Sequence, residues 1–135
     1  MRHKITRRNC LNCGLLLNRP EKFYCTNKCQ RLLEWNQRKI IIDTEGCFPS
    51  SSKVTRRYLI EKHGNVCSIC KSINWFGESI PLVLDHIDGN SDNWLVENCR
   101  MICPNCDTFT PFYKGKNKGN GRFSRRQRYL KGLSY

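Results

Sequence analysis

One stretch of the chain concentrates the side chains that could do chemistry. Asp85 and His86 precede a short loop rich in Asp, Asn and Gly, and Asn98 and Asp107 follow that loop. Carboxylates suit a hard divalent cation such as Mg²⁺, and a neighbouring histidine suits the activation of water. This set of residues is the equipment for metal-assisted hydrolysis of a phosphodiester bond.

Eight of the ten cysteines occur as pairs separated by two or three residues. They form two sets of four: Cys10, Cys13, Cys25 and Cys29, then Cys67, Cys70, Cys103 and Cys106. This spacing favours two structural Zn²⁺ sites over incidental buried thiols, and zinc would largely replace a hydrophobic core. Of the other two, we expect Cys99 to be a small buried apolar residue and Cys47 to be a free thiol.

The charge distribution indicates a polyanionic partner. The formal net charge is +13, from 24 basic and 11 acidic residues. Eight thiolates would add −8 and two Zn²⁺ ions +4, so the zinc-loaded chain would still carry about +9. Such a charge favours nucleic acid as the partner. Residues 78–107 are the exception, with six acids and Arg100 as their one Lys or Arg, which makes sense if a divalent cation lies there.

Targeting signals are not evident in the sequence. No apolar segment near Met1 resembles a signal peptide, and no run has the length of a membrane span. We therefore expect no membrane partner and a cytoplasmic location, where thiols stay reduced and paired cysteines favour zinc.

The elements that must position the first cysteine set are a knuckle, a hairpin and a helix. The hairpin is predicted from Leu15–Arg19 and Lys22–Tyr24, with a turn near Pro20. Thr26 or Asn27 can cap a helix that runs to about Ile40. This order is that of a treble-clef-like zinc finger.

The second cysteine set has its own elements. A linker at residues 43–52 precedes a helix over Lys53–His63, which Ser52 can cap and Gly64 can end. Strands are predicted at 82–84 and 100–102, and Pro104 begins a short helix that stops before Pro111. The order is β-β-α with a zinc site at its base.

With these residues placed, the chain resembles the HNH endonuclease family, which has a ββα-metal motif. The resemblance is carried by Cys67-Ser68-Ile69-Cys70, by Leu84-Asp85-His86-Ile87-Asp88-Gly89-Asn90, and by Glu97-Asn98-Cys99-Arg100-Met101-Ile102-Cys103-Pro104-Asn105-Cys106. It implies a small α+β fold stabilised by zinc, with an N-terminal treble-clef-like finger and an HNH ββα-metal domain. The predicted boundaries are 1–42 for finger and helix, 43–52 for the linker, 53–113 for the nuclease domain and 114–135 for a basic tail.

The resemblance also implies a role for each site residue. Asp85 and Asp107 become ligands of one catalytic divalent ion, His86 the general base, and Asn98 the middle Asn that fixes the loop holding His86. The family usually has His where this chain has Asp107. An oxygen ligand is harder than imidazole, so we expect Mg²⁺ or Mn²⁺ at the catalytic site. Asp107 follows Cys106 in the first helical turn, so its side chain points about 100° away from that zinc ligand.

The implied function is endonuclease cleavage of DNA, by nicking or by double-strand breakage, in a phage-type homing or free-standing enzyme. A monomer is favoured over a dimer, and the compartment would be the host cytoplasm if a phage encodes the chain. The rival is a non-catalytic zinc-finger protein that binds nucleic acid, which finger count and charge fit equally well.

Candidate nucleic-acid contacts come from the helix over Lys53–His63 and from the tail. They are Arg56, Arg57, Lys114, Lys116, Lys118, Arg122, Arg125 and Arg126. For Arg56 and Arg57 a solvated helix face is an equally good interpretation. For the tail, a solvated terminus that charge keeps soluble is the alternative to an arm that follows phosphates.

Overall fold

The computed structural model describes residues 7–19, 22–117, 127 and 130–132. Their contacts divide the chain into two compact units, Met1–Glu45 and Gly46–Tyr135. Each unit contains one of the four-cysteine sets. Among the described residues, no helix is both long and apolar enough to cross a membrane.

The first unit is a knuckle followed by a long helix. The knuckle turns tightly because the N–H of Cys10 donates to the carbonyl of Leu15 and the N–H of Gly14 donates to that of Cys10. Asn9 pairs with Leu16 in an isolated antiparallel bridge, so within the described residues the pairing differs from the predicted hairpin. The result is a small loop that turns back on itself.

Helix α1 spans Asn27–Glu45, beyond the predicted end near Ile40. Thr26 caps it, because its hydroxyl accepts a hydrogen bond of 3.2 Å from the N–H of Cys29. The helix ends before Gly46, whose φ of +66° is a left-handed conformation that glycine adopts readily. Residues 43–45 of the predicted linker are therefore helical.

The second unit begins with α2, which spans Ser52–His63 and is followed by Gly64. Thr55, Tyr58 and Leu59 are the buried residues of this helix, and Val54 is half-buried. Ser51 rather than Ser52 occupies the N-cap position, without a side-chain cap bond. A short hairpin of β1 (Asn74–Trp75) and β2 (Glu78–Ser79) follows.

Two antiparallel strands and a short helix complete this unit. Strand β3 spans Val83–His86 and pairs with β4 over Cys99–Ile102, and helix α3 follows over Pro104–Phe109. The pairing register sets Asp85 opposite Arg100 and His86 opposite Cys99. Helix α2 packs against β4, and α3 contacts β3. This arrangement gathers the predicted site residues at the end of β3.

Candidate metal centres and the acidic loop

The first cysteine cluster has the geometry of a metal site. One sulfur from each of its members lies within 4.8 Å of the others, and they are Cys10, Cys13, Cys25 and Cys29. The Sγ atom of Cys25 lies 3.6 Å from that of Cys13 and 3.3 Å from that of Cys29. Four sulfurs about 2.3 Å from zinc in a tetrahedron would lie about 3.8 Å apart. The cluster could therefore hold zinc after small adjustments.

The second cluster joins the knuckle before β1 to the start of α3. Its four sulfurs also lie within 4.8 Å of one another, and they belong to Cys67, Cys70, Cys103 and Cys106. The sulfurs of Cys70 and Cys103 are 3.8 Å apart, the spacing of a tetrahedral zinc site. Backbone N–H groups support the sulfurs, because Cys103 donates to Cys67 and Cys106 donates to Cys103.

Each cluster contains thiols with opposite tendencies to ionise. Hydrogen bonds, first from the backbone of Cys13, lower the pKa of Cys10 to about 6. Burial favours the neutral form of Cys67, but backbone N–H groups, led by that of Cys103, lower its pKa to about 6. The hydrogen bond with Cys29 raises the pKa of Cys25 to about 12, and burial does the same for Cys106. Because zinc binds thiolates, its binding would release the protons that these thiols retain.

The two remaining cysteines lie outside these clusters. Cys99 is 5% exposed, and burial raises its pKa to about 11, as suits the predicted small apolar role. Cys47 is half-buried, and its sulfur lies 3.4 Å from the carbonyl of Phe48.

The acidic loop, residues 87–93, follows Asp85 and His86 and is built from turn-forming side chains. Asp88 accepts from the N–H of Asn90, and Asn90 accepts from the N–H of Asp92. Asn93 donates to the second oxygen of Asp88 at 2.7 Å. Desolvation opposes ionisation of Asp88, but these hydrogen bonds lower the pKa of its carboxyl group. The ionised carboxylate therefore stabilises the turn of the loop.

Gly89 is required where the acidic loop turns. Its φ is +71°, and its N–H donates to the carbonyl of His86 at 2.8 Å. A Cβ atom at this position would collide with the ring of Phe112. Phe112 thus packs over the loop at a place that admits only glycine.

Asn98 closes the acidic loop from the other side. Its amide nitrogen donates to Asp88 at 2.9 Å and to the carbonyl of Asn93 at 3.0 Å, and its amide oxygen accepts from the N–H of Asp88. Its own carbonyl accepts from the N–H of Ile87. The side chain is 8% exposed, so these bonds form largely away from water. Asn98 therefore ties the loop to the start of β4.

Removing the Asn98 amide is expected to destabilise the second unit. Asn98→Ala removes the hydrogen bonds that this buried amide makes with Asp88 and Asn93, which costs about 1–3 kcal/mol. For a unit of this size the midpoint of thermal unfolding should fall by at least about 4 °C. Circular dichroism measures it, with Asn105→Ala on exposed α3 as the matched control. Equal melting temperatures would show that the amide does not hold the loop.

His86 is held by packing at the end of β3. Its ring meets Trp94 edge to face, with ring centres 5.0 Å apart. The Nε2 atom is buried and has no hydrogen-bond partner among the described residues.

Asp85 is fixed by a cross-strand ion pair. The Nε of Arg100 donates to Oδ2 of Asp85 at 2.7 Å, and both side chains are largely buried. Sequence reasoning missed this role of Arg100. The signal was present, since Arg100 is the one Lys or Arg in the acidic segment 78–107 and lies on the strand that returns beside Asp85.

Asp107 lies in the first turn of α3, within electrostatic reach of Asp85. Burial raises the pKa of the Asp107 carboxyl, the charge of Asp85 raises it further, and Lys114 lowers it. Each of these two carboxyl groups could offer an oxygen ligand to a hard divalent cation.

Four of the residues predicted to contact nucleic acid already interact with groups of the protein. Arg56 donates to the carbonyl of Leu82, and Arg57 forms an ion pair of 2.9 Å with Glu61. Lys114 lies over the ring of Tyr113, and the Nζ of Lys116 donates to the carbonyl of Thr108. The other four predicted contacts lie outside the described residues, and they are Lys118, Arg122, Arg125 and Arg126.

Part of the chain is similar to a known phage endonuclease. Over 53 residues it is 43% identical to a protein of Escherichia phage T5 named H-N-H endonuclease F-TflIV, a segment that covers 39% of this chain. The chain spans 23% of the length of that relative. No family model matches the chain, and no solved structure matches it. The predicted resemblance to HNH endonucleases is thus confirmed over this segment and supports a nuclease at the level of the family.

Proposed function

We propose that this protein is a metal-dependent HNH endonuclease that hydrolyses DNA phosphodiester bonds. The observation that carries the proposal is the placement of Asp85 and His86 at the end of β3, with Asp107 on the helix α3 that contacts β3. The loop that follows His86 is held by Asn98. A further support is the segment shared with the phage endonuclease. The strands β3 and β4 with α3 are then the ββα-metal fold, and the first unit is a treble-clef-like finger.

The catalytic cation would be held by Asp85 and Asp107. Oxygen donors of this kind suit Mg²⁺ or Mn²⁺. When bound, the cation would supply Lewis-acid stabilisation of the negative charge that develops on the phosphate and the leaving oxygen. Arg100 holds one oxygen of Asp85 and so orients the carboxylate.

His86 is the general base in this proposal. Its Nδ1 takes a proton from the water that attacks phosphorus, because Nε2 is buried against the protein. Asn98 acts through the acidic loop and is a positioning residue. Cleavage of the bond to the 3′ oxygen leaves a 5′ phosphate and a 3′ hydroxyl. One such site cuts one strand at a time, so a double-strand break needs a second subunit or a second event.

DNA would be held by the basic residues outside the acidic segment. Lys114 and Lys116 follow α3 directly, and the tail up to residue 135 adds six further Lys/Arg without an acid. Such contacts neutralise phosphates and position the strand without reading its sequence. We further propose a phage-type homing or free-standing enzyme that acts as a monomer in the host cytoplasm, in keeping with the segment shared with the phage endonuclease.

A plasmid-nicking assay separates this function from that of a non-catalytic zinc protein. Zinc-loaded protein should convert supercoiled plasmid to open circles with Mg²⁺ and fail when Mg²⁺ is omitted, a comparison that avoids a chelator that would strip zinc. Asp107→Asn should slow nicking at least about 100-fold, since it removes a ligand worth several kcal/mol.

The matched control is Asp92→Asn, on an exposed part of the acidic loop, which should nick at the wild-type rate. DNA binding without nicking in Mg²⁺ or Mn²⁺ by the folded, zinc-loaded wild type would favour the non-catalytic protein instead.

A further inference from the structure

An open cavity of about 400 Å³ lies in the second unit. Its walls come from the end of α2, from the knuckle at Cys67 and from β4. Sites for small organic ligands have volumes of about 300–1,000 Å³. The cavity is therefore large enough for a ligand of nucleotide size.

The polar part of the cavity is cationic or neutral. His63, Lys71 and Arg100 all line it, together with Ser68. None of the lining residues is acidic, although they adjoin the segment of the chain richest in acids. The Nζ of Lys71 donates to the carbonyl of Ser68 at 2.8 Å, which keeps the ammonium group at this wall. Three basic residues on walls that carry no acidic residue favour an anion such as a phosphate.

The rest of the cavity is apolar. Leu59, Val66, Val96 and Met101 line it, and Leu59 and Met101 are 4% exposed. An apolar wall beside a cationic one matches a ligand with a flat hydrophobic part and a phosphate. A nucleobase joined through its sugar to a phosphate has this chemistry, whereas inorganic phosphate would leave the apolar wall without a partner.

Arg100 connects the cavity to the proposed catalytic centre. Arg100 is one of the residues that line the cavity, and its Nε donates to Asp85. A guanidinium carries five N–H donors in a planar fork, so one group can bind a carboxylate and also reach a phosphate. A nucleotide in the cavity would therefore lie close to the bond that the proposed enzyme cuts.

We propose that this cavity binds one nucleotide of the substrate strand, with its phosphate on His63, Lys71 and Arg100 and its base against the apolar wall. The identity of the ligand as part of the cleaved strand rests on the proposed nuclease function. The capacity of the cavity to bind a nucleotide does not rest on that function, because it follows from the size, charge and walls of the cavity.

The test is calorimetric titration of the zinc-loaded full chain with thymidine 5′-monophosphate, without added Mg²⁺. The nucleotide should bind at least tenfold more tightly than thymidine, which lacks the phosphate. The double variant His63→Gln, Lys71→Gln removes an imidazole and an ammonium group at similar size and should weaken nucleotide binding at least tenfold. Val66→Phe, which fills the cavity and keeps its charges, should weaken it similarly.

Lys53→Gln is the matched control, because Lys53 lies on α2 outside the cavity and its loss changes the net charge alone. Absence of nucleotide binding to the wild type, or equal losses in Lys53→Gln and in the cavity variants, would overturn the site. Competitive inhibition of plasmid nicking by the nucleotide is expected, and binding without inhibition would refute its assignment to the substrate strand. Nucleotide binding by a protein that nicks no DNA would refute the nuclease function and leave the cavity site standing.

Discussion

Replacing His86 by alanine is expected to slow plasmid nicking by about 10²–10⁴-fold, the usual contribution of a positioned acid–base group. The hydrogen bonds of the acidic loop are made by Asp88, Asn93 and Asn98 and do not involve the imidazole. The loss should therefore fall on the chemical step. Single-turnover rates of nicking at saturating Mg²⁺ measure it.

DNA affinity and zinc content should be nearly unchanged in His86→Ala, and filter binding in Ca²⁺ with elemental analysis gives these controls. His86→Gln should be as slow as the alanine variant, because an amide retains hydrogen-bonding groups but is not a base. A wild-type rate in either variant would assign proton removal to another group and would contradict the role of His86 as the general base.

Loss of one cysteine ligand is expected to have the largest effect on folding. Purified protein should contain two zinc ions per chain, and Cys70→Ser should contain one. Structural zinc contributes about 10–16 kcal/mol of apparent binding free energy in zinc-finger peptides, whereas whole domains are stable by about 5–15 kcal/mol. The second unit of Cys70→Ser should therefore unfold and nicking should be lost.

Cys47→Ser is the matched control for this experiment, because Cys47 lies outside both clusters. It should keep two zinc ions and the wild-type melting curve. A wild-type protein that folds with no bound zinc would contradict the assignment of both clusters.

The cysteine clusters could be predicted because their information is local in the sequence. Ligands two or three residues apart, such as Cys67 and Cys70, form a knuckle whatever the rest of the chain does, and the structure brings both sets together. Helix α2 could also be predicted from local signals, namely the serine before its first turn and the stop at Gly64. The end of α1 was predicted too early, because the helix continues to Glu45.

The sequence predicted a loop of turn-forming residues, but it did not predict the contacts that this loop and its neighbours make with distant residues. Turn chemistry predicts the roles of Asp88 and Asn90 from neighbouring residues. The contacts of Phe112 with Gly89 and of Arg100 with Asp85 join distant positions and depend on strand register. The cavity beside Arg100 escaped prediction for the same reason, since three separate elements form its walls.

The most direct test of the central claim is whether DNA ligase can reseal the nicks that the wild-type protein makes in supercoiled plasmid with Mg²⁺. Ligase joins a 5′ phosphate to a 3′ hydroxyl, which are the ends that the proposed hydrolysis leaves. We predict open circles that form only with the divalent cation and that ligase converts to covalently closed circles. Intact plasmid after incubation with folded, zinc-loaded protein, or nicks that ligase cannot seal, would contradict the account.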